Sequence, residues 1–332
     1  MNSKTNGTTL IINHSKIALF LLPFYFLSCN AESINNEVSN FDDITGILFN
    51  NRSNNCEDYV GQYYSQVYDI NNSSLFNGEL IVKSNNEKCS FTSNSIPNHD
   101  FNNGTDNFRN TPEEVPEILN IAKNPFMVQS STPLSLKMDD AIMLNGVKLD
   151  LLAAACYGVG PDPLGQEKIG CGDEYIGNSW RYDPMSPLNS FGTDIHNAHT
   201  QPDGAYHYHG NPNALFEQTN PAEESPVIGF AADGYPIYGS YIMDNQTIRQ
   251  VEPSYRMKSG SRVPIGTEED GDFPGGNYDG MYREDYEYVE DLGDLDECNG
   301  MIYNGAYGYY VTASFPWIIN CFKGEVDNSF DK

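Results

Sequence analysis

Positive charge is scarce in this chain. Lysine and arginine number 18 against 46 aspartates and glutamates, a net charge of −28 over 332 residues. Such a surface repels phosphate backbones, which excludes non-specific nucleic-acid binding and polybasic docking onto membranes. Long apolar runs are missing too. Ile17–Leu27 is an apolar run of 11 residues, whereas a transmembrane helix needs about 20. A mean hydropathy of −0.50 excludes a multi-span membrane protein. No amphipathic helical period runs for about 12 residues or more. Neither Gly-x-Ser-x-Gly nor His-Glu-x-x-His occurs, so two common hydrolase classes find no support. No Cys-x-x-Cys pair is present, which argues against a cysteine-based structural metal.

What is present starts with a targeting segment. Lys4 and Lys16 precede or open the apolar run Ile17–Leu27, and no acid occurs before Glu32. That order fits a signal peptide over residues 1–28. Leu27-Ser28-Cys29 resembles a bacterial lipobox, with Cys29 as the lipidated first mature residue. Phe26 and Leu27 depart from the usual lipobox residues. The expectation is an exported protein, either a cell-envelope lipoprotein of a bacterium or a freely secreted chain. A membrane would then be touched only through the lipid anchor.

Cysteine usage agrees with export. Setting Cys29 aside leaves six: Cys56, Cys89, Cys156, Cys171, Cys298 and Cys321. An even number in an exported chain reads as a disulfide framework. Six cysteines allow about 15 connectivities. Sequence neighbours make Cys56–Cys89, Cys156–Cys171 and Cys298–Cys321 the simplest pairing.

The chain reads as mainly β: disulfide-stapled antiparallel strands with long irregular loops and few short helices. Residues 29–54 are Asn- and Ser-rich and read as a tether. Tyr63–Tyr68, Gly78–Val82 and Cys89–Thr92 are β-prone runs, with Asn71-Asn72 and Asn77-Gly78 as turns. They define an N-terminal β unit over 55–95. Residues 97–133, rich in Pro and Asn, read as a surface loop. A main body follows over 130–325, and 326–332 reads as a tail. Ala141–Val147 is a strand with an Asn145-Gly146 turn. Leu149–Ala155 fits a short helix or a strand. Val227–Ile242 reads as strand, Asp233-Gly234 turn, strand, and Tyr307–Ile319 as a β-prone run.

Four of the six histidines fall within a short stretch: His196, His199, His207 and His209. Pro202-Asp203-Gly204 is a turn signature, and Ala205–His209 then reads as a strand. Alternation puts His207 and His209 on one face, with Tyr206 and Tyr208 in the core behind. Two imidazoles at such spacing converge on one metal ion, with bonds of about 2.0–2.1 Å. His196 and His199, returning through the turn, supply further nitrogens. His196, His207 and His209 are expected to share one space, with His199 or His99 close by. Asp194 and Asn197 are candidates to orient the rings, and neighbouring carboxylates are expected to raise the histidine pKa values. The competing reading is a hydrogen-bonded histidine cluster without metal. The segment 268–297 carries 13 acids and one base. It reads first as a solvated acidic face and second as a calcium site, without the order of an EF-hand loop.

Asp203-Gly-Ala-Tyr-His-Tyr-His-Gly210 resembles the signature of the YHYH-domain family of exported proteins. So do Pro97-Asn-His99, Leu144-Asn-Gly-Val147, Asp233-Gly-Tyr-Pro-Ile-Tyr-Gly239, Leu295-Asp-Glu-Cys-Asn-Gly300 and Cys321-Phe-Lys-Gly324. The likeness runs in order from about residue 56 to 324 and implies a single YHYH-type domain over 55–325. It also singles out His99.

Two functions follow as expectations. One is a metal-dependent extracytoplasmic enzyme of unassigned reaction, using zinc or copper. Its ligands would be drawn from His196, His199, His207, His209 and His99, with Asp233 as a candidate base. The other is a non-catalytic surface module binding metal, glycan or protein. An extracellular polymer or small molecule is the expected partner, and the 22 tyrosines suit a polymer surface. An open coordination position beside a concave pocket distinguishes the first from the second.

Overall fold

The computed structural model describes residues 41–104, 107–159, 171, 175–265 and 273–332. The expected signal peptide, Cys29 and the start of the tether lie outside the described residues. Strand-forming segments come in chain order as β1 (Asp42–Asp43), β2 (Gly61–Asp69), β3 (Ser74–Ser84), β4 (Lys88–Ser93) and β5 (Glu117–Ala122). Then follow β6 (Thr132–Pro133), β7 (Ala141–Met143), β8 (Lys148–Leu149), β9 (Ala198–Thr200) and β10 (Tyr206–Tyr208). Next are β11 (Val227–Ala231), β12 (Pro236–Tyr238), β13 (Tyr241–Asp244), β14 (Thr247–Gln250) and β15 (Tyr255–Met257). Last come β16 (Tyr286–Tyr288), β17 (Gly300–Tyr303), β18 (Ala306–Tyr310) and β19 (Cys321–Phe322). The helices assigned among the described residues are short 3-10 turns, and none is long and apolar enough to cross a membrane. The mainly β expectation holds.

One sheet has the order β1-β2-β3-β4-β5. Its period-two pattern is clear: Val67, Leu80, Val82, Cys89, Phe91, Leu119 and Ile121 are buried while their chain neighbours face outward. The second has the order β17-β18-β12-β11-β7-β8-β10-β9. Its β8–β10 and β12–β18 pairs are parallel within an otherwise antiparallel array. The sheets share a core, where Phe91 of the first, and Tyr59 of the 3-10 turn that leads into it, meet Phe230 of the second at 6.1 and 5.6 Å between ring centres. The three neighbour-paired disulfides are present, with Cα separations of 6.2, 5.6 and 4.6 Å.

Several boundaries differ from the sequence expectation. The segment 97–133 is not all loop, because β5 completes the first sheet by pairing along β4. Residues 41–54 are not a free tether: β1 pairs with β2, Ile44 is buried, and the Asn51 carbonyl accepts from the Val227 N–H. The tail is integrated too, with Phe330 buried and the Lys332 N–H bonded to the Lys137 carbonyl. Asn77-Gly78 is strand interior rather than turn. A Cβ at Gly78 would stand 2.3 Å from Ser65 Oγ, so close packing explains that glycine. Leu149–Ala155 leaves β8 as irregular chain, and Phe315–Ile319 is a turn region rather than strand. The Asn145-Gly146 and Asp233-Gly234 turns and the strands flanking them are as expected.

Candidate metal centre

The site is built on the β9–β10 hairpin. His199 and His207 are direct antiparallel partners across it, and such pairs project from the same face. His209 follows His207 by two residues and joins that face. The His209 Nε2 stands 3.0 Å from Nε2 of His207 and 3.0 Å from Nε2 of His199. All three rings are buried. They line a cleft of about 910 Å³.

One proton position is fixed by geometry. His199 Nδ1 lies 2.7 Å from the Phe191 carbonyl oxygen, which can only accept. A neutral His199 therefore carries its hydrogen on Nδ1 and presents a lone pair at Nε2. His209 Nε2 holds either one hydrogen or one lone pair. It cannot donate to one neighbour while accepting from the other, so a two-centre hydrogen bond satisfies only one of its two close contacts. Both are met by one hydrogen shared between His199 and His207, or by a cation. Nitrogens about 2.0–2.1 Å from a tetrahedral ion lie about 3.3–3.4 Å apart, close to the spacing present. The three residues fit a metal ion, and their ligand atoms all lie within 4.8 Å of one another.

Electrostatics keep the rings in the ligating form. Burial drives the pKa of His207 well below its ordinary value, aided by His209 and His199 and then by Lys332 and Lys148. Burial and then His199 do the same at His209, against the Asp150 backbone carbonyl. The expected upward shift from carboxylates is thus overturned.

Residues 118–324 match the family model described as YHYH protein. The chain belongs to the YHYH family. No curated protein and no solved structure matches it. The four-letter signature, Tyr206-His-Tyr-His209, divides by strand face. Its histidines enter the cleft. Its tyrosines enter the core, as expected, where Tyr206 Oη donates to Asp194 Oδ2 at 2.9 Å.

His196 and His99 do not join the three. They meet behind β10 with ring centres 4.0 Å apart and planes tilted by 44°. His99 Nδ1 faces the Asp100 carbonyl at 2.8 Å, and its Nε2 meets Tyr208 Oη at 2.7 Å. Burial, reinforced by His196, pushes the His99 pKa down to about 3. The reason His196 and His199 part company is Asn197. Its φ of +60° turns the chain between them. Asp194 and Asn197 orient no ring of the trio. Asp194 Oδ1 caps the His196 N–H, and Asn197 Nδ2 donates to the Asn211 carbonyl.

Asp233 is not in the cleft. Its Oδ2 accepts from Tyr309 Oη at 2.6 Å and from the Gly324 N–H at 2.9 Å, and its Oδ1 from the Tyr235 N–H. That is a turn-locking role, not a base poised for substrate. Several described carboxylates of the acidic segment are held in ion pairs. Asp279 and Asp285 pair with Arg262, Asp294 with Arg249, and Asp296 and Glu297 with Lys323. Among the described residues the histidine trio is the one cluster arranged to hold a metal.

Sequence reasoning missed the charged wall beside the histidines. Lys148 is the parallel partner of His207 and lines the same cleft. Asp139, Asp150, Glu117 and Lys332 line it too. A lysine inside the apolar Leu144–Leu149 stretch was the readable signal. Nothing local pointed to Lys332, which arrives from 182 residues beyond Asp150.

Proposed function

We propose that this protein is exported, anchored through Cys29, and uses His199, His207 and His209 to hold a transition-metal ion for catalysis outside the cytoplasm. The observation that carries the metal reading is the convergence of three buried imidazoles whose ligand atoms all lie within 4.8 Å of one another, with the His199 Nε2 lone pair turned toward the others by the Phe191 carbonyl. An all-imidazole donor set suits zinc or copper. Three protein ligands beside a cleft leave a coordination position for solvent or substrate, as catalytic sites require. A fourth side-chain ligand would instead have favoured the non-catalytic module. A bound ion supplies Lewis acidity to an oxygen of its ligand. The chain's own residues hold the three nitrogens neutral and rigid, with Phe191 fixing the His199 ring. The apolar run before Cys29 and the three disulfides support export. The test is elemental analysis of purified protein, then activity screens with and without chelator. Metal near one equivalent, lost in the His207→Ala/His209→Ala double variant, is the expected result. Wild-type metal content in that variant ends the proposal. Mass spectrometry of protein from the native host should find the mature chain starting at a lipidated Cys29, and a chain starting at Met1 removes the export reading.

A further inference from the structure

The wall of the histidine cleft carries an alternating chain of charges, buried at Lys148, Asp139 and Asp150. Lys148 Nζ lies 2.5 Å from Glu117 Oε1 and 3.3 Å from Asp139 Oδ2. Lys332 Nζ lies 3.2 Å from Asp139 Oδ1 and also pairs with Asp150 Oδ2. The order is therefore Glu117, Lys148, Asp139, Lys332, Asp150. Both ends are carboxylates, and each end keeps one oxygen unfilled. Glu117 Oε2 and Asp150 Oδ1 are buried and find no hydrogen-bond partner among the described residues.

The Asp150 end sits beside the histidines. His207 and Tyr208 are the parallel partners of Lys148 and Leu149. The Asp150 N–H continues that ladder to the Tyr208 carbonyl at 2.9 Å. Strand alternation then places Lys148 and Asp150 on the face of His207 and His209. Asp150 is only 6% exposed. A buried carboxylate oxygen without a donor is costly, and such an acceptor beside a cleft calls for a donor from the ligand.

The charge pattern limits which donor. An anionic group would meet the five carboxylates that line the cleft, Asp203 and Asp331 among them, and an ammonium group its four cations, which include Arg109 and Lys137. A neutral hydroxyl donates without either repulsion. We infer that the cleft takes a neutral, hydroxyl-rich ligand of the polyol or glycan class, with hydroxyls donating to Asp150 and Glu117. The inference rests on the reading of the histidine cleft as the ligand site and names its substrate class. The amide side chains of Asn110 and Gln201 line the same cleft and suit such a ligand, whereas the buried Thr200 hydroxyl donates to the Asn110 carbonyl.

Three trisaccharides of similar size test this on the full chain by calorimetry, with and without bound metal: cellotriose, the glucosamine trimer and the galacturonate trimer. Cellotriose should bind at least tenfold more tightly than either charged trimer. Asp150→Asn and Glu117→Gln should each weaken it about tenfold, the loss typical of a hydrogen bond to a charged group, with unchanged circular dichroism. If Asp150→Asn does not fold, Glu117→Gln decides alone. Tighter binding of a charged trimer, no binding of cellotriose, or wild-type affinity in the folded variants overturns the inference. Metal content is measured on the same samples. Cellotriose binding with these dependences in protein that holds no metal would sink the metal reading and leave this one standing.

Discussion

At the residue scale, the decisive feature is which ring nitrogens meet. His196 sits three positions before His199 yet faces the far side of β10, its ring tilted against His99. Replacing His196 with Ala should leave metal stoichiometry unchanged, while replacing His199 should abolish it; elemental analysis reads both. Because burial and like charges depress the pKa values of His207 and His209, protons compete weakly for their nitrogens. Metal should therefore be retained well below the ordinary histidine pKa of about 6.5. Equilibrium dialysis across pH checks this, and release centred at or above that value contradicts it. His99 titrates with consequences for stability. Its ring stays neutral in the fold down to about pH 3, while the unfolded chain protonates it below about pH 6.5. The unfolded state then binds more protons, so stability falls as pH drops through that window. A His99→Gln variant should show a flatter pH dependence of the denaturant midpoint.

At the element scale, the β9–β10 hairpin depends on its turn. Gly204 has φ of +93°, and a Cβ there would lie 2.6 Å from Glu113 Cβ. Gly204→Ala should destabilise by about 1–3 kcal/mol and weaken metal binding together, because the turn sets the His199–His207 register. Urea titration and metal affinity on one preparation test the coupling; a loss of stability with unchanged affinity would separate turn from site. This hairpin was readable from Pro202-Asp203-Gly204 and the alternation after it. Strand β5 was not. Pro112 and Pro116 stand just ahead of it, and its six residues earn their strand form only by pairing along β4. The Asn77-Gly78 signal misled for the opposite reason. A turn-prone pair was recruited into a strand where Ser65 packs too closely for any side chain.

At the scale of the whole molecule, the chain's last residues close the cleft. Phe330 is buried in the shared core and Lys332 pairs with Asp139 and Asp150. Removing residues 326–332 takes away an aromatic core side chain and leaves carboxylates without their cation. The cost should be about 3–5 kcal/mol, the usual range for either loss alone. A denaturation midpoint within error of wild type would mean the segment is only a tail.

The amino-acid sequence alone determined the β character, the hairpin and the two-faced Tyr-His alternation, and it made neighbour pairing the simplest of the cysteine connectivities that the structure then selected. All of these are local: they follow from side-chain period, turn residues and short loop closures. Tertiary structure alone decided that His199 rather than His196 completes the trio, because a left-handed Asn197 redirects the chain. It alone also brought Glu117, Asp139, Asp150 and Lys332 to one wall, since those contacts join segments far apart in sequence. No local pattern encodes that wall; it exists only where the two sheets and the C-terminal segment pack around one cleft.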